Sequence, residues 1–355
     1  RSGSTGARAP ANMDELPFLY DNLHDFENRI IYYETSRGCP FRCGYCLSSI
    51  DKRVRLRSLP TVKRELQFFL DKRVPQVKLV DRTFNCSHSH AMEIWRYIQE
   101  HDNGVTNFHF EIAAELLNEE ELAILKGMRP GLVQLEIGVQ TTNRETLAAI
   151  NRSGDTASIA RAVAEINEGR NIHIHLDLIA GLPFEGYESF KKSFNEVYAM
   201  EPLQLQLGFL KVLKGTPIRE KAEEYGIVWQ EEPPYEVLYT KWISYREILK
   251  LKQVEEMVEV YYNSNQFTHT LAVLEKGFPG AFELYEGLAA YYEEKGYFVN
   301  SPARSSRYQV LLEFIKERMP EAEELYRELL TVDYYLRENA KGRPGLGRDL
   351  SPGRE

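Results

Sequence analysis

The chain has 355 residues, with 43% hydrophobic and 27% charged content and a formal net charge of −9. That length suits one large or two ordinary domains, and the composition predicts a sizeable core under a polar surface. The acidic balance argues against nucleic-acid binding by bulk charge, and no run approaches the roughly 18 apolar residues of a membrane span. No basic-then-apolar leader is present, and four cysteines in the whole chain suit a reducing, cytoplasmic setting. The chain opens with Arg1 rather than Met, which predicts a fragment or a processed piece.

Residues 1–13 are small, polar and marked by Gly and Pro, and are expected to form a disordered tail or the end of a linker. Residues 14–29 read as an extended lead-in. The apolar run 30–33 predicts a strand, and it leads into Arg37-Gly38-Cys39-Pro40-Phe41-Arg42-Cys43-Gly44-Tyr45-Cys46. Three of the four cysteines therefore fall within eight residues. Three thiolates on one loop can hold three irons of a cubane [4Fe–4S] cluster and leave the fourth iron open to a small molecule, whereas ferredoxin clusters take four cysteines. A zinc site would ask for four ligands in paired spacing, and His24 is the one nearby imidazole. A disulfide scaffold does not suit so few cysteines without a secretion signal. Gly38, Pro40 and Gly44 predict an irregular backbone that can approach a ligand closely.

Strand and helix patterns then alternate. A helix is expected over 58–72, with Pro60 near its start and Val62, Leu66, Phe69 and Leu70 on one face. A strand follows at 76–81, then a helix at 87–100 carrying Ala91, Ile94, Trp95 and Ile98. The next strand, 107–113, precedes a helix whose Asn118 and Glu121 form a capping-box pattern. Strands at 132–139, 172–180 and 203–210 are separated by helices capped by Asp155 and spanning 187–199. Six such units imply a parallel sheet, with functional groups gathered at the C-terminal ends of its strands. Apolar residues at successive strand positions predict burial of both faces. The expected fold class is α/β: a partial (β/α)6 barrel over 30–215 with an α-helical C-terminal domain over 216–339. Helices are expected at 235–262, as one or two, and at 278–295 and 307–338; 340–355 reads as a disordered tail.

Two further clusters stand out. Cys86, His88 and His90 share one loop-to-helix junction, where plain helix N-terminal residues are weighed against a metal role. Lys52, Arg53, Arg55, Arg57, Lys63 and Arg64 follow the cysteine loop and read either as a solvated face or as a docking surface near the site.

The spacing Cys39-x-x-x-Cys43-x-Tyr45-Cys46 resembles the cluster loop of the radical S-adenosylmethionine enzymes. The resemblance implies that Cys39, Cys43 and Cys46 bind a [4Fe–4S] cluster, that its open iron takes S-adenosylmethionine through amino and carboxylate groups, and that Tyr45 lies against the adenine. Asp81, Arg82 and Thr83 stand where the family usually has a Gly-Gly-Glu-type turn, and they resemble the variant of cobalamin-binding and methylthiotransferase-like members. There the turn's backbone oxygens would accept from the methionine amino group; a tight turn closed by Asp81 is the alternative. Glu111 sits in an apolar strand and needs a partner, either ribose hydroxyls or a core cation. Gly138-Val139-Gln140 and Asn151-Arg152 resemble the oxygen-independent coproporphyrinogen oxidase branch, which implies Gln140 on the ribose and Arg152 paired with the methionine carboxylate. Asp177, in a strand motif of the same branch, is either a polar contact to substrate or cofactor or a structural acid.

The stretches 204–216 and 235–242 resemble bacterial proteins that join a cobalamin-binding domain, a radical S-adenosylmethionine core and an uncharacterised C-terminal region. No Asp-x-His-x-x-Gly cobalt-ligand motif occurs here, so cobalamin is expected only with a domain absent from this chain. The implied chemistry is reductive cleavage of S-adenosylmethionine to a 5′-deoxyadenosyl radical acting on a substrate the resemblance leaves open, with methyl transfer when cobalamin is supplied. No catalytic side chain is singled out. The implied electron donor is an acidic flavodoxin or ferredoxin-type protein docking on the basic cluster. RNA binding lacks the aromatic–basic interleaving it would need. An iron–sulfur electron-transfer protein and a binding scaffold are the alternatives from other classes.

Overall fold

The computed structural model describes residues 11–51, 53–152, 154–338 and 345–346. Residues 1–10 of the tail expected at 1–13, and most of the tail expected at 340–355, fall outside those residues. Asn12 and Met13 do not belong to a tail: Asn12 caps the turn Met13–Glu15 by accepting from Asp14 N, and Met13 is buried.

Six strands form one parallel sheet in sequence order: β1 (Ile31–Tyr33), β2 (Gln76–Leu79), β3 (Asn107–Ile112), β4 (Val133–Gln140), β5 (His173–Ala180) and β6 (Gln204–Phe209). The helices between them are α1 (Leu59–Asp71), α2 (His88–Glu100), α3 (Glu119–Lys126), α4 (Arg144–Ala149), α5 (Thr156–Gly169) and α6 (Tyr187–Tyr198). Each buries the apolar stripe its periodicity predicts, such as Val62, Leu66, Phe69 and Leu70 on α1. Asn118 and Glu121 form the expected capping box of α3, and Asp155 accepts from Ala157 N at the start of α5. Six parallel strands joined through helices give the expected partial (β/α)6 barrel.

One expectation fails inside the barrel. The sheet is not apolar on both faces. In β4 the residues alternate between buried Val133, Leu135, Ile137 and Val139 and partly exposed Gln134, Glu136, Gly138 and Gln140. The second set shares its face with Lys78, His109 and Glu111, because the register places Lys78 beside His109 and Glu111 beside Glu136. The interior is therefore polar and charged, while the other face packs under the helices.

The C-terminal region is mostly helical but does not begin as expected. Residues 235–244 are not helix. Strands β7 (Val228–Trp229) and β8 (Val237–Tyr239) pair antiparallel, with Pro233-Pro234 between them, where two successive amide donors are missing. Val237 N donates to Leu210 O and Val212 N donates to Tyr235 O, so this hairpin lies along the end of β6. The helix α7 (Tyr245–Met257) starts only where Ser244 and Glu247 form a capping box. It runs into a π turn, Val258–Asn263. Asn263 Oδ1 accepts from Leu205 N and its Nδ2 donates to Leu205 O, both at 2.9 Å, on the edge of β6. A short helix α8 (Thr268–Leu274), absent from the sequence reading, precedes α9 (Ala281–Lys295). Buried Asp333 accepts from His269 N and Thr270 N at the start of α8. The pattern at 307–338 divides into α10 (Arg307–Arg318) and α11 (Glu323–Arg337), because Pro320 forces Met319 out of helical backbone.

Candidate cofactor site

The cysteine loop follows β1 at the C-terminal end of the sheet, and hydrogen bonds from three directions fix it. Cys39 N donates to Asp51 O (3.3 Å), Gly44 N donates to Ile150 O (2.7 Å), and Ile218 N donates to Gly44 O (2.9 Å). Gly38 has φ +100, and a Cβ there would stand 2.3 Å from Arg53 O, so the entry to the loop admits glycine alone. Asn151 Nδ2 donates to Arg42 O at 2.9 Å, tying the loop to the turn after α4. That tie brings in Arg152. Its Nη1 lies 3.6 Å from Cys43 Sγ, and its Nη2 donates to Gly138 O. Burial pushes the Cys43 thiol up, and the Arg152 guanidinium pulls it back. Cys39 Sγ lies 3.6 Å from Thr83 Oγ1. None of the four cysteines is in a disulfide.

All three loop cysteines open onto one cavity of about 200 Å³. Tyr45, Arg82, Thr83, Glu111, Gln140, Arg152 and Asp177 line it too. Every residue that the resemblance assigned to the site is thus brought together except Asp81. Its carboxylate is buried and accepts from Thr35 N (3.0 Å) and Thr35 Oγ1 (2.6 Å). The Asp81 side chain therefore ties the ends of β1 and β2 together, and the expectation for that turn rested on its backbone oxygens. Gln140 sits at φ +73, where the β4–β5 register shifts; so uncommon a backbone for a non-glycine residue marks a constrained position.

The sequence reading missed Glu136, which lines the same cavity, and the two residues that hold it. His109 Nε2 lies 2.9 Å and Lys78 Nζ 2.8 Å from Glu136 Oε2. His109 first, then Lys78, holds the Glu136 carboxyl down at about 2 against the opposing effect of burial. Glu111 lies 3.9 Å from Lys78. Burial, with the charge of Glu136 behind it, pushes the Glu111 carboxyl up. Asp177 is pushed up to about 8 by burial and by the charges of Glu136 and Glu111. Of three neighbouring carboxyls, Glu136 is the one held below the usual carboxylate value, while the other two are pushed above it. Three buried polar atoms facing this region, Gln140 Oε1, Arg152 Nε and Asp177 Oδ1, have no hydrogen-bond partner among the described residues. Buried polar atoms in this state point to an unseen partner.

The two remaining clusters disperse. His88 Nδ1 lies 3.0 Å from Glu121, and His90 Nε2 lies 3.2 Å from Thr35 Oγ1, so these rings and Cys86 do not converge. Among the described residues no three His, Cys, Asp or Glu side chains converge on a single-ion position. In the basic run, Arg57 is buried against Glu65 at 2.7 Å, Lys63 pairs with Glu93 at 2.8 Å, and Arg55 pairs with Asp51. Arg53 and Arg64 are left exposed, and Lys52 lies outside the described residues.

Residues 33–197 match the radical SAM superfamily, and residues 223–352 match a family described as a protein of unknown function, DUF4080. The first match defines the class of that part of the chain: residues 33–197 are a radical SAM domain, and the radical SAM family uses a [4Fe–4S] cluster and S-adenosylmethionine. Its C-terminal third is a DUF4080 region. The cobalamin-dependent radical SAM methyltransferase TokK of Streptomyces tokunonensis is 25% identical over 209 residues, 55% of this chain and 30% of that protein. The oxygen-independent coproporphyrinogen III oxidase of Salmonella typhimurium is 34% identical over 110 residues, 28% of this chain and 23% of that protein. The chain thus covers less than a third of the length of these curated relatives. A solved structure of the radical S-adenosylmethionine methyltransferase TsrM from Kitasatospora setae aligns at 21% identity and a TM-score of 0.49, over 57% of this chain and 40% of that one. Among the described residues no helix is long and apolar enough to cross a membrane.

Proposed function

We propose that this chain cleaves S-adenosylmethionine reductively at a [4Fe–4S] cluster held by Cys39, Cys43 and Cys46, and acts on an organic substrate bound beside it. The observation that carries the reading is the single cavity onto which the three thiols, Tyr45, Glu111, Gln140 and Arg152 all open, with buried donor and acceptor atoms left without partners. S-Adenosylmethionine offers matching groups: ribose hydroxyls, an ammonium and a carboxylate. When bound, the cluster supplies the electron that breaks a carbon–sulfur bond and yields a 5′-deoxyadenosyl radical.

The chain's own residues bind and orient. Arg152 pairs its planar fork with the methionine carboxylate, and Gln140 and Glu111 take the ribose hydroxyls. Tyr45 covers the adenine. The backbone at Asp81, Arg82 and Thr83 accepts from the amino group, and Asp177 stands between cofactor and substrate. Glu136, held ionised by His109 and Lys78, gives the cavity floor a fixed negative charge that suits a sulfonium.

The core extends over about 30–215 and the helical region over 216–339. The matched ranges 33–197 and 223–352 support that division. When a further domain supplies cobalamin, the reaction is a methyl transfer; the match to TokK supports this. The reductant is a flavodoxin or ferredoxin-type protein of the cytoplasm, and among the described residues of the basic run Arg53 and Arg64 are the exposed cations available for docking it.

Anaerobic reconstitution with iron and sulfide, then dithionite and S-adenosylmethionine, tests the reading. It requires 5′-deoxyadenosine from the wild-type protein and none from Cys43→Ala. An electron-transfer protein would take up the cluster without making 5′-deoxyadenosine, and a scaffold would do neither.

A further inference from the structure

A second cavity, of about 450 Å³, shares Tyr45, Cys46, Ser48, Arg82, Gln140 and Asp177 with the first and extends away from it along the ends of β5 and β6. Its wall is largely apolar, with Ile179, Phe209 and Leu213 among the lining residues. Its charges are one-sided. Arg82 and Lys211 line it, and Asp177 is the single acid on its wall. Asp177 is pushed up to about 8 and so is mostly protonated at neutral pH. A chain of net charge −9 therefore places two cations and no firmly ionised acid around this cavity.

Lys211 has no ion-pair partner among the described residues, for a structural reason. Glu236 is bridged to Lys211 through the backbone, but its carboxylate is taken by Lys252. Lys252 in turn lies 4.4 Å over the Phe209 ring. Within the C-terminal region the Glu236 carboxylate is thus paired with Lys252 rather than with Lys211. Arg82 is exposed, and the acid whose charge it feels, Glu111, lies in the first cavity. S-Adenosylmethionine does not compensate, because its single carboxylate faces Arg152 and its sulfonium and ammonium are positive. Low-dielectric walls lined by charge of one sign focus the field and attract the opposite sign.

We propose that this cavity takes a substrate with an apolar body ending in an anionic group, a carboxylate or a phosphate, which lies between Arg82 and Lys211. The proposal rests on the preceding reading for the place of the cofactor. The test uses cluster-reconstituted, S-adenosylmethionine-loaded protein and two fluorescent probes that differ by one sulfonate: 8-anilinonaphthalene-1-sulfonate and neutral N-phenyl-1-naphthylamine. The sulfonate probe should bind, and Lys211→Gln should weaken it about fivefold and Lys211→Glu by tenfold or more, with the neutral probe unchanged within twofold. Octanoate or octyl phosphate should displace the sulfonate probe and octanol should not; the better competitor identifies the anion as carboxylate or phosphate. Equal affinity of the sulfonate probe for wild type and Lys211→Glu, a parallel loss of the neutral probe, or displacement by octanol as effective as by the anions overturns the proposal. Formation of 5′-deoxyadenosine by the wild-type protein, measured alongside, reports on the earlier reading independently.

Discussion

Replacing Asp177 by Asn should stabilise the ligand-free protein at neutral pH. The ordinary value for the Asp177 carboxyl is 3.8, and in the folded protein it is pushed up to about 8. A carboxyl raised in this way contributes fully to stability below 3.8, and that contribution is lost as pH rises through 8, because the unfolded chain gives up its proton first. From 3.8 to a working pH of 7 is about 3 pH units, and at about 1.4 kcal/mol each the cost is roughly 4 kcal/mol. Asp177 keeps some exposure on the cavity wall, so water entering the cavity reduces the figure, and the expected gain is about 2–4 kcal/mol. Asn keeps the shape and cannot ionise. Urea unfolding followed by circular dichroism at several pH values measures the difference. The two proteins should converge near pH 4 and separate steadily above it. Equal stability at pH 7, or a gap that ignores pH, refutes the argument that burial and the charges of Glu136 and Glu111 set this group. Such a gain on losing a polar group is expected where binding, rather than stability, keeps it.

Arg57→Met should cost about 3–5 kcal/mol, because it strands the buried Glu65 carboxylate with Tyr33 Oη as its remaining close donor; the urea midpoint reads the loss. Gly181 has φ +84, and a Cβ there would lie 2.6 Å from Val237 Cγ1, so Gly181→Ala should cost about 1–3 kcal/mol and hasten proteolysis near the β7–β8 hairpin. Arg152→Lys keeps the charge but loses the planar fork, and should weaken S-adenosylmethionine about tenfold in equilibrium binding to the reconstituted protein. In Arg152→Gln without a cluster, which removes the charge, the Cys43 thiol should titrate higher, seen in the pH dependence of its alkylation, because the guanidinium that pulls it down is gone.

Much of the barrel was legible because its signals are local. The helix stripe on α1, the Asn118–Glu121 capping box and the six strand runs each depend on residues close in sequence. The cavity residues were legible for a similar reason: the cysteine spacing and the Gly138-Val139-Gln140 turn are short motifs. What was missed depends on which strand lies beside which. Gln134, Glu136, Gly138 and Gln140 alternate plainly along β4, yet nothing within β4 shows that Glu136 meets Lys78, 58 residues away. The same holds for the basic run, whose Arg57 and Lys63 find their acids on α1 and α2 and so leave the surface fewer cations than the sequence suggests. The hairpin escaped notice because strands of two and three residues have no periodicity of their own and exist by pairing with each other and with Leu210.

The side chain of Asn263 behaves toward Leu205 as a single residue of a neighbouring strand would, giving one donor and one acceptor to the outer border of β6. The border is thereby blocked at Leu205, and recruitment of another chain along it is discouraged there. It also fastens the helices that follow: swinging them outward would strip two backbone groups of their partners at once. The helices that follow are thus held as a fixed wall beside β6.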